Sequence, residues 1–270
     1  MSKIALLQLT TGCSIEQNLM HIGRYVEDAV EAGAVLIVLP ENCAFMGQKD
    51  FPLHTIAENK GDGRIQAYLS QLSKRFGVWI IAGTIPTKAH ADRVRASSLV
   101  FDHQGKLVAC YDKIHLFDVA VPEGEVHQES LRVEPGFSVV TVDTPVGCVG
   151  LSVCYDLRFA ELYRQLVLKG AQIFTVPAAF TAITGQAHWE VLLRARAIEN
   201  LCYVLAPNQS GQHENGRHTH GHSMVVDPWG KVIACQEEGN GALIAEIELS
   251  YLKTLRQQFP CNEHHIMGNV

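Results

Sequence analysis

The 270-residue chain has no excess of positive charge and no run of lysines or arginines: 22 Lys and Arg stand against 28 Asp and Glu, a formal charge of −6. A nucleic-acid-binding face, which needs clustered basic side chains to offset phosphate, is therefore not expected. No apolar run reaches the ~20 residues of a membrane-crossing helix, and the opening MSKIALLQLT is too short and too strand-like for an export signal. The eight cysteines (13, 43, 110, 148, 154, 202, 235 and 261) avoid short paired spacings. Without an export signal they read as free thiols of a cytoplasmic protein, most of them small core residues. No linker, internal repeat or low-complexity tract divides the chain, so one domain over 1–270 is expected. Aromatics are only 7%, but apolar residues reach 47%, enough for a large core and against intrinsic disorder. What remains as partner is a small molecule or another protein chain.

The pattern of what is present is α/β. Lys3–Leu9 reads as a strand. Ser14 and Gln17 form a capping box for a helix with Leu19, Ile22, Val26 and Val30 on one face, stopped by Gly33. Val35–Leu39 is apolar without alternation, as buried parallel strands are. Ile65, Leu69, Leu72 and Phe76 step at helical spacing before Gly77, and Val78–Gly83 is another buried strand. Ser98–Asp102 and Lys106–Tyr111 form a hairpin. The second half alternates in the same way, with strands at 139–143, 149–153, 172–176 and 203–206 and helices at 160–169 and 187–200. A hairpin over 222–235, turning at Asp227–Gly230, and a strand at 243–247 follow. Helix crossovers mixed with hairpins imply mixed sheets rather than a purely doubly wound one.

Three reactive side chains follow such strands. Glu41 follows VLIVLP, Lys113 follows KLVACYD, and Cys154 closes VGLSVC. Ligands of open α/β sheets sit outside the carboxyl ends of strands, so these strands can bring a carboxylate, an ammonium and a thiol to one pocket. A thiol needs a neighbouring base or cation to become a nucleophile at neutral pH. Glu41 can serve as that base if burial lifts its pKa. Lys113 can stabilise an oxyanion, together with N–H groups in the turn after Cys154. Taken singly, each is as readily a solvated charge or a packing thiol. Cys43 is the rival nucleophile, two residues from Glu41, but no comparable strand-to-helix turn follows it.

LPEN at 39–42, YDKIHLFDV at 111–119 and GLSVCYDLRFAEL at 150–162 resemble the Glu, Lys and Cys motifs of the nitrilase superfamily of carbon–nitrogen hydrolases, in order and in spacing. The resemblance runs nearly end to end. It implies a four-layer αββα sandwich with two mixed sheets, pairing into a dimer. It also implies a second glutamate beside the nucleophile, a position that Glu129 in HQES matches, ordering Lys113 and the substrate, and a Tyr155 that lines the site. AFTAITGQAHWEVLLRARAIEN at 179–200 and GHSMVVDPWG at 221–230 resemble the amidase branch, whose members hydrolyse deaminated glutathione and 2-oxoglutaramate-type amides. The implied reaction passes through a Cys154 thioester and releases ammonia, without cofactor or metal. Nitrilase or carbamoyl-amine hydrolase activity, and a catalytically silent scaffold, are the alternatives. Two departures from the branch are Gln186 in place of the usual proline, on a loop expected above the pocket, and a tail, FPCNEHHIMG, without the usual basic end.

Arg158 could meet a substrate carboxylate with its planar fork, or pair internally with Asp156 or Glu161. Phe180, Thr181 and Thr184 follow the strand ending at Pro177 and form a candidate pocket lip. The 187–199 helix carries Glu190 and Arg194 at i,i+4 spacing with apolar residues around them, an amphipathic helix that the resemblance makes a homodimer interface. His213, His218, His220 and His222 lie close together, but no Cys or carboxylate completes a ligand set. They read as a loop over the active site, with His222 entering the next strand.

Overall fold

The computed structural model describes residues 1–48, 50–120 and 126–266; the end of the FPCNEHHIMG tail lies outside them. The first half comprises β1 (Ser2–Gln8), α1 (Ile15–Glu31), β2 (Leu36–Val38), α2 (Arg64–Phe76), β3 (Trp79–Ile81), β4 (Ile85–Lys88), β5 (Val94–Phe101) and β6 (Leu107–Asp112). A small ribbon, β7 (Asp118–Ala120) with β8 (Val126–Gln128), follows. The second half contains β9 (Thr141–Thr144), β10 (Gly147–Leu151), α3 (Ala160–Leu168), β11 (Ile173–Thr175), α4 (Ala182–Asn200) and β12 (Tyr203–Ala206). It continues through the β13 (Ser210–Gln212) and β14 (His218–His220) ribbon to β15 (Ser223–Val226), β16 (Val232–Gln236), β17 (Gly241–Ile247) and α5 (Leu249–Gln258).

Each sheet is built on three parallel strands. In one, β1, β2 and β3 run parallel, with β17 antiparallel at one side and β4, β5 and β6 antiparallel at the other. In the other, β10, β11 and β12 run parallel between antiparallel β9 and the β15–β16 hairpin. Helices make every parallel crossover, because parallel neighbours need a connection long enough to return the chain.

The alternation of strand side chains sets the layers. Ile4 and Leu6 of β1, with Leu36, Val38 and Ile81, share a core with Val149, Leu151, Ile173 and Leu205 of the opposite sheet. Ala5, Leu7, Ile37 and Ile80 face the other way, onto Leu19, Ile22 and Val26 of α1 and Leu69 of α2. Tyr163 and Leu166 of α3 and Trp189 and Leu193 of α4 cover the second sheet. The result is the expected single-domain αββα sandwich with two mixed sheets.

Four features depart from the sequence reading. The helix expected from 187 begins at Ala182, with the Thr181 hydroxyl accepting the Thr184 N–H at 3.3 Å as its N-cap. Gln186 is consequently an exposed residue on that helix and not part of a loop above the pocket. Helix α5, strand β4 and the β7–β8 and β13–β14 ribbons were not anticipated. Finally, His220 stacks on His222 with centroids 4.2 Å apart, and Gly185 of α4 leaves room for the His220 ring, which a Cβ there would meet at 2.3 Å. That close approach makes His220 a packing residue.

Candidate active site

Glu41, Lys113 and Cys154 converge at one end of the sandwich. Glu41 lies just beyond β2, Lys113 follows β6, and Cys154 lies just beyond β10. Two parallel strands from different sheets thus present the carboxylate and the thiol from their carboxyl ends. Lys113 Nζ donates to Glu41 Oε1 at 2.8 Å, and to both oxygens of Glu129 at 2.9 and 3.0 Å. Glu41 Oε2 accepts the Ala179 N–H at 2.9 Å, and Glu129 Oε2 accepts the Phe117 N–H at 2.7 Å. All three convergent groups are buried, Cys154 being only 7% exposed.

The backbone around the thiol is held in an unusual conformation. Val153 is extended and Cys154 has φ 48°, after which residues Cys154–Arg158 form a 3-10 turn. A non-glycine residue at positive φ persists only where its surroundings over-determine it. Here Asp156 supplies the constraint. Fully buried, it accepts the Val153 N–H at 2.9 Å, the Tyr111 hydroxyl at 2.7 Å, and the His115 backbone N–H at 3.0 Å, with the His115 ring Nδ1 at 2.7 Å. The Cys154 N–H donates to Pro177 O at 2.9 Å, tying the elbow to the adjacent strand. Glu41 is held in a similar way: the Gln209 side chain donates to its carbonyl at 2.9 Å, and the next residue, Asn42, has φ 55° and donates its N–H to the Thr84 hydroxyl.

Protonation in this cluster differs from the sequence expectation. Burial pulls the Glu41 carboxyl upward, but the Lys113 ammonium outweighs it and leaves the carboxyl below its usual range. Burial alone would favour neutral Lys113, yet Glu129 and Glu41 hold its pKa well above the ordinary value. For Cys154, burial and the Glu41 charge raise the thiol pKa, and Lys113 opposes them only in part. The resting cluster is therefore carboxylate, ammonium and neutral thiol. Cys43 is fully buried, its thiol pushed up to about 12 by burial and directed at the Ala82 and Thr84 carbonyls at 3.7 and 3.5 Å. It is a packing thiol.

A cavity of about 780 Å³ opens over the cluster, lined by Glu41, Lys113, Glu129 and Cys154. Tyr155, Phe180, Thr181 and Thr184 line it as well. Arg158 does not. Its guanidinium lies against the rings of Tyr155 and Phe180, at 5.7 Å from each centroid, and 3.2 Å from His188 Nδ1, without an ion pair to Asp156 or Glu161. The 213–217 loop does reach the cavity, through Asn215, Gly216 and Arg217. Within that loop His213 is hydrogen-bonded to Thr11 O and to the Thr219 hydroxyl. Sequence reasoning did not single out Arg217, Asp156 as the brace of the elbow, or Gln209. Their one available signal was position: Gln209 follows β12 at the sheet edge that already carried Cys154.

The two-sheet α/β sandwich thus gathers a thiol, two carboxylates and an ammonium beneath one cavity. The carbon–nitrogen hydrolase family model matches residues 3–257. A deaminated glutathione amidase of Yersinia enterocolitica is 44% identical over 98% of this chain and 93% of its own length. Among solved structures, the Caenorhabditis elegans NitFhit protein superposes with a TM-score of 0.90 at 38% identity, over 98% of this chain and 65% of that longer one. Saccharomyces cerevisiae Nit3, a member of branch 10 of the nitrilase superfamily, gives 0.87 at 32% identity over 96% of this chain and 94% of its own. The chain belongs to the carbon–nitrogen hydrolase family, and is a hydrolase of carbon–nitrogen bonds other than peptide bonds.

Proposed function

We propose that this protein hydrolyses deaminated glutathione, or a closely related 2-oxoglutaramate-type linear amide, through a thioester on Cys154. The observation that carries the reading is the Lys113 ammonium, held between Glu41 and Glu129 beside the buried thiol. As Cys154 Sγ attacks the amide carbon, Glu41 takes its proton and a C–S bond forms. The Lys113 ammonium and the Tyr155 N–H face the developing oxyanion, a charge that a low-dielectric site stabilises far better than water does. The C–N bond then breaks and the proton on Glu41 passes to the leaving amine. Water enters, gives a proton to Glu41 and attacks the thioester, and the acid departs as the thiol is regenerated. Glu129 fixes Lys113 throughout. Because the resting thiol is neutral, attack and proton transfer are concerted, which the position of an ionised Glu41 favours.

In a primary amide the leaving amine is ammonia, as the sequence suggested; in deaminated glutathione it is the amine of the cysteinylglycine portion. The test is therefore incubation with deaminated glutathione and with 2-oxoglutaramate, reading both ammonia and newly freed primary amine. Release by the wild type and none by Cys154→Ala is expected. No release from any linear amide would leave the silent scaffold as the reading.

A homodimer through α4 belongs to the same proposal, supported by solvent-exposed Val191 and Ile198 on one face of that helix. So does a cytoplasmic location, which the eight free thiols fit. Among the described residues no helix is long and apolar enough to cross a membrane.

A further inference from the structure

Among the described residues of the cavity wall, Arg217 is a cation with no carboxylate at ion-pair distance, although its charge does act on Glu41. It lines the same cavity as Cys154, and its Nη2 donates to Ala179 O at 2.9 Å. Its Nε is buried without a hydrogen-bond partner, and no described carboxylate stands within ion-pair reach. The other cations of the cavity wall differ. Lys113 is taken by two glutamates, Arg95 pairs with Asp112 and Glu134, and Arg132 is engaged as well.

The loop that carries Arg217 is fixed in advance. His213 N–H donates to Arg217 O at 2.8 Å, Arg217 N–H to the Asn215 side chain at 3.0 Å, and Asn215 Nδ2 to Gly47 O at 2.8 Å. The guanidinium is also placed close to the chemistry. Ala179, whose carbonyl it holds, gives its own N–H to Glu41. A buried guanidinium N–H left unpaired is costly, and the group is planar and shaped to bind a carboxylate in a bidentate manner. From these observations we infer that Arg217 binds a carboxylate of the substrate in the cavity, making the protein selective for amides that carry one a few carbons from the scissile bond. The inference rests on the amidase reading above, and gives Arg217 a role that the sequence offered Arg158 beside an internal ion pair.

The test compares 2-oxoglutaramate with its uncharged methyl ester, for the wild type, Arg217→Met and Arg217→Lys. Arg217→Met should raise KM for the acid by about 10- to 100-fold, the range of a hydrogen bond to a charged group. Whatever the variant costs both substrates through Ala179 and Glu41, the ester's kcat/KM should fall by about tenfold less than the acid's. Arg217→Lys should recover part of the KM, since a point charge replaces the fork. Retained turnover of the ester shows at once that the variant is folded. An equal loss on acid and ester in both variants would overturn the inference, because Arg217 would then act only through Glu41. An unchanged KM for the acid would overturn it too. Calorimetric binding of 2-oxoglutarate to wild type and Arg217→Met separates the two failures. Weakened binding in the variant with no turnover of either amide by the wild type sinks the amidase reading and keeps the anion site, whereas equal binding sinks the site.

Discussion

At Cys154 the electrostatics and the chemistry pull in opposite directions, and the pH dependence of the reaction will register the outcome. Glu41 lies below the usual carboxylate range, burial being outweighed by Lys113, so it is still ionised where an ordinary glutamate, near ~4.3, has begun to protonate. The thiol is raised by burial and by Glu41, so it gains nothing across ~8–9, where an unperturbed cysteine ionises. The expected kcat/KM profile keeps its full value down to the ordinary carboxylate range and does not climb between about pH 8 and 9. An acid limb with its midpoint near 6 to 7 would show a base with a raised pKa instead. The stability term has the same sign. A depressed folded pKa contributes stability that is fully present above the unfolded value of Glu41 and is lost as pH falls through the folded one. Glu41, Lys113 and Cys154 were legible as candidates in the sequence because each follows a strand, an apolar run for Glu41 and Cys154 and a hairpin arm for Lys113. Their protonation was not, since it depends on Ala179, Glu129 and Lys113 converging from three segments that are distant in sequence from Glu41. For the same reason Arg158 looked better placed in sequence than Arg217: it is four residues from the thiol, whereas Arg217 arrives on a distant hairpin.

The elements hold the proposed catalytic groups by close backbone approach, and one glycine shows how closely. Gly83, just past β3, has φ 36°, and a Cβ built on it would stand 1.9 Å from Pro40 O and 2.5 Å from Leu39 O. The 81–84 segment clamps 39–42 through Leu39 N–H to Ile81 O and Asn42 N–H to the Thr84 hydroxyl. Gly83→Ala must therefore push Glu41 away from Lys113. A loss of about 2 kcal/mol or more is expected, seen as a Tm lowered by roughly 4 to 8 °C. A displacement of about 1 Å at the base would also lower kcat/KM about 100-fold. Thermal melts followed by circular dichroism, with kinetics on the same preparation, check both; a variant with native Tm and native activity would show that the clamp is dispensable. Most elements of the two sheets were readable because their apolar runs are bounded by glycine or turn residues. Helix α5 was not, because only Leu252 and Leu255 of it are buried, too narrow a stripe to mark a period. Its attachment is polar instead: Arg256 donates to Leu201 O and Ala171 O. The early start of α4 was hidden by Gly185, which reads as a breaker but is there to admit His220.

At the scale of the whole molecule, local pattern gives the strands of each sheet but not which faces meet, since both faces of β1 are equally apolar in sequence. The sandwich was legible through the resemblance alone. The outer surface poses the complementary question. On α4, Val191 and Ile198 are 68% and 48% exposed and two turns apart on one face. The 227–230 turn packs against this end of the helix, with Arg194 Nε donating to Gly230 O at 2.8 Å. That turn carries Trp229, 58% exposed, whose ring meets the 51%-exposed Phe259 edge-on at 5.9 Å. Large apolar side chains clustered in this way are seldom left in water by a monomer, and a two-fold axis through the patch would let it cover itself. Light scattering behind size exclusion should give about twice the 29.7 kDa chain mass. Val191→Asp with Ile198→Asp would place like charges across the axis, and should yield a monomer that keeps the circular dichroism of the parent. The cavity is lined at Thr181 and Thr184 by the start of the same helix, so the monomer should also lose part of its kcat. A double variant that remains dimeric would move the interface away from α4, while a wild type of single-chain mass would remove the dimer altogether.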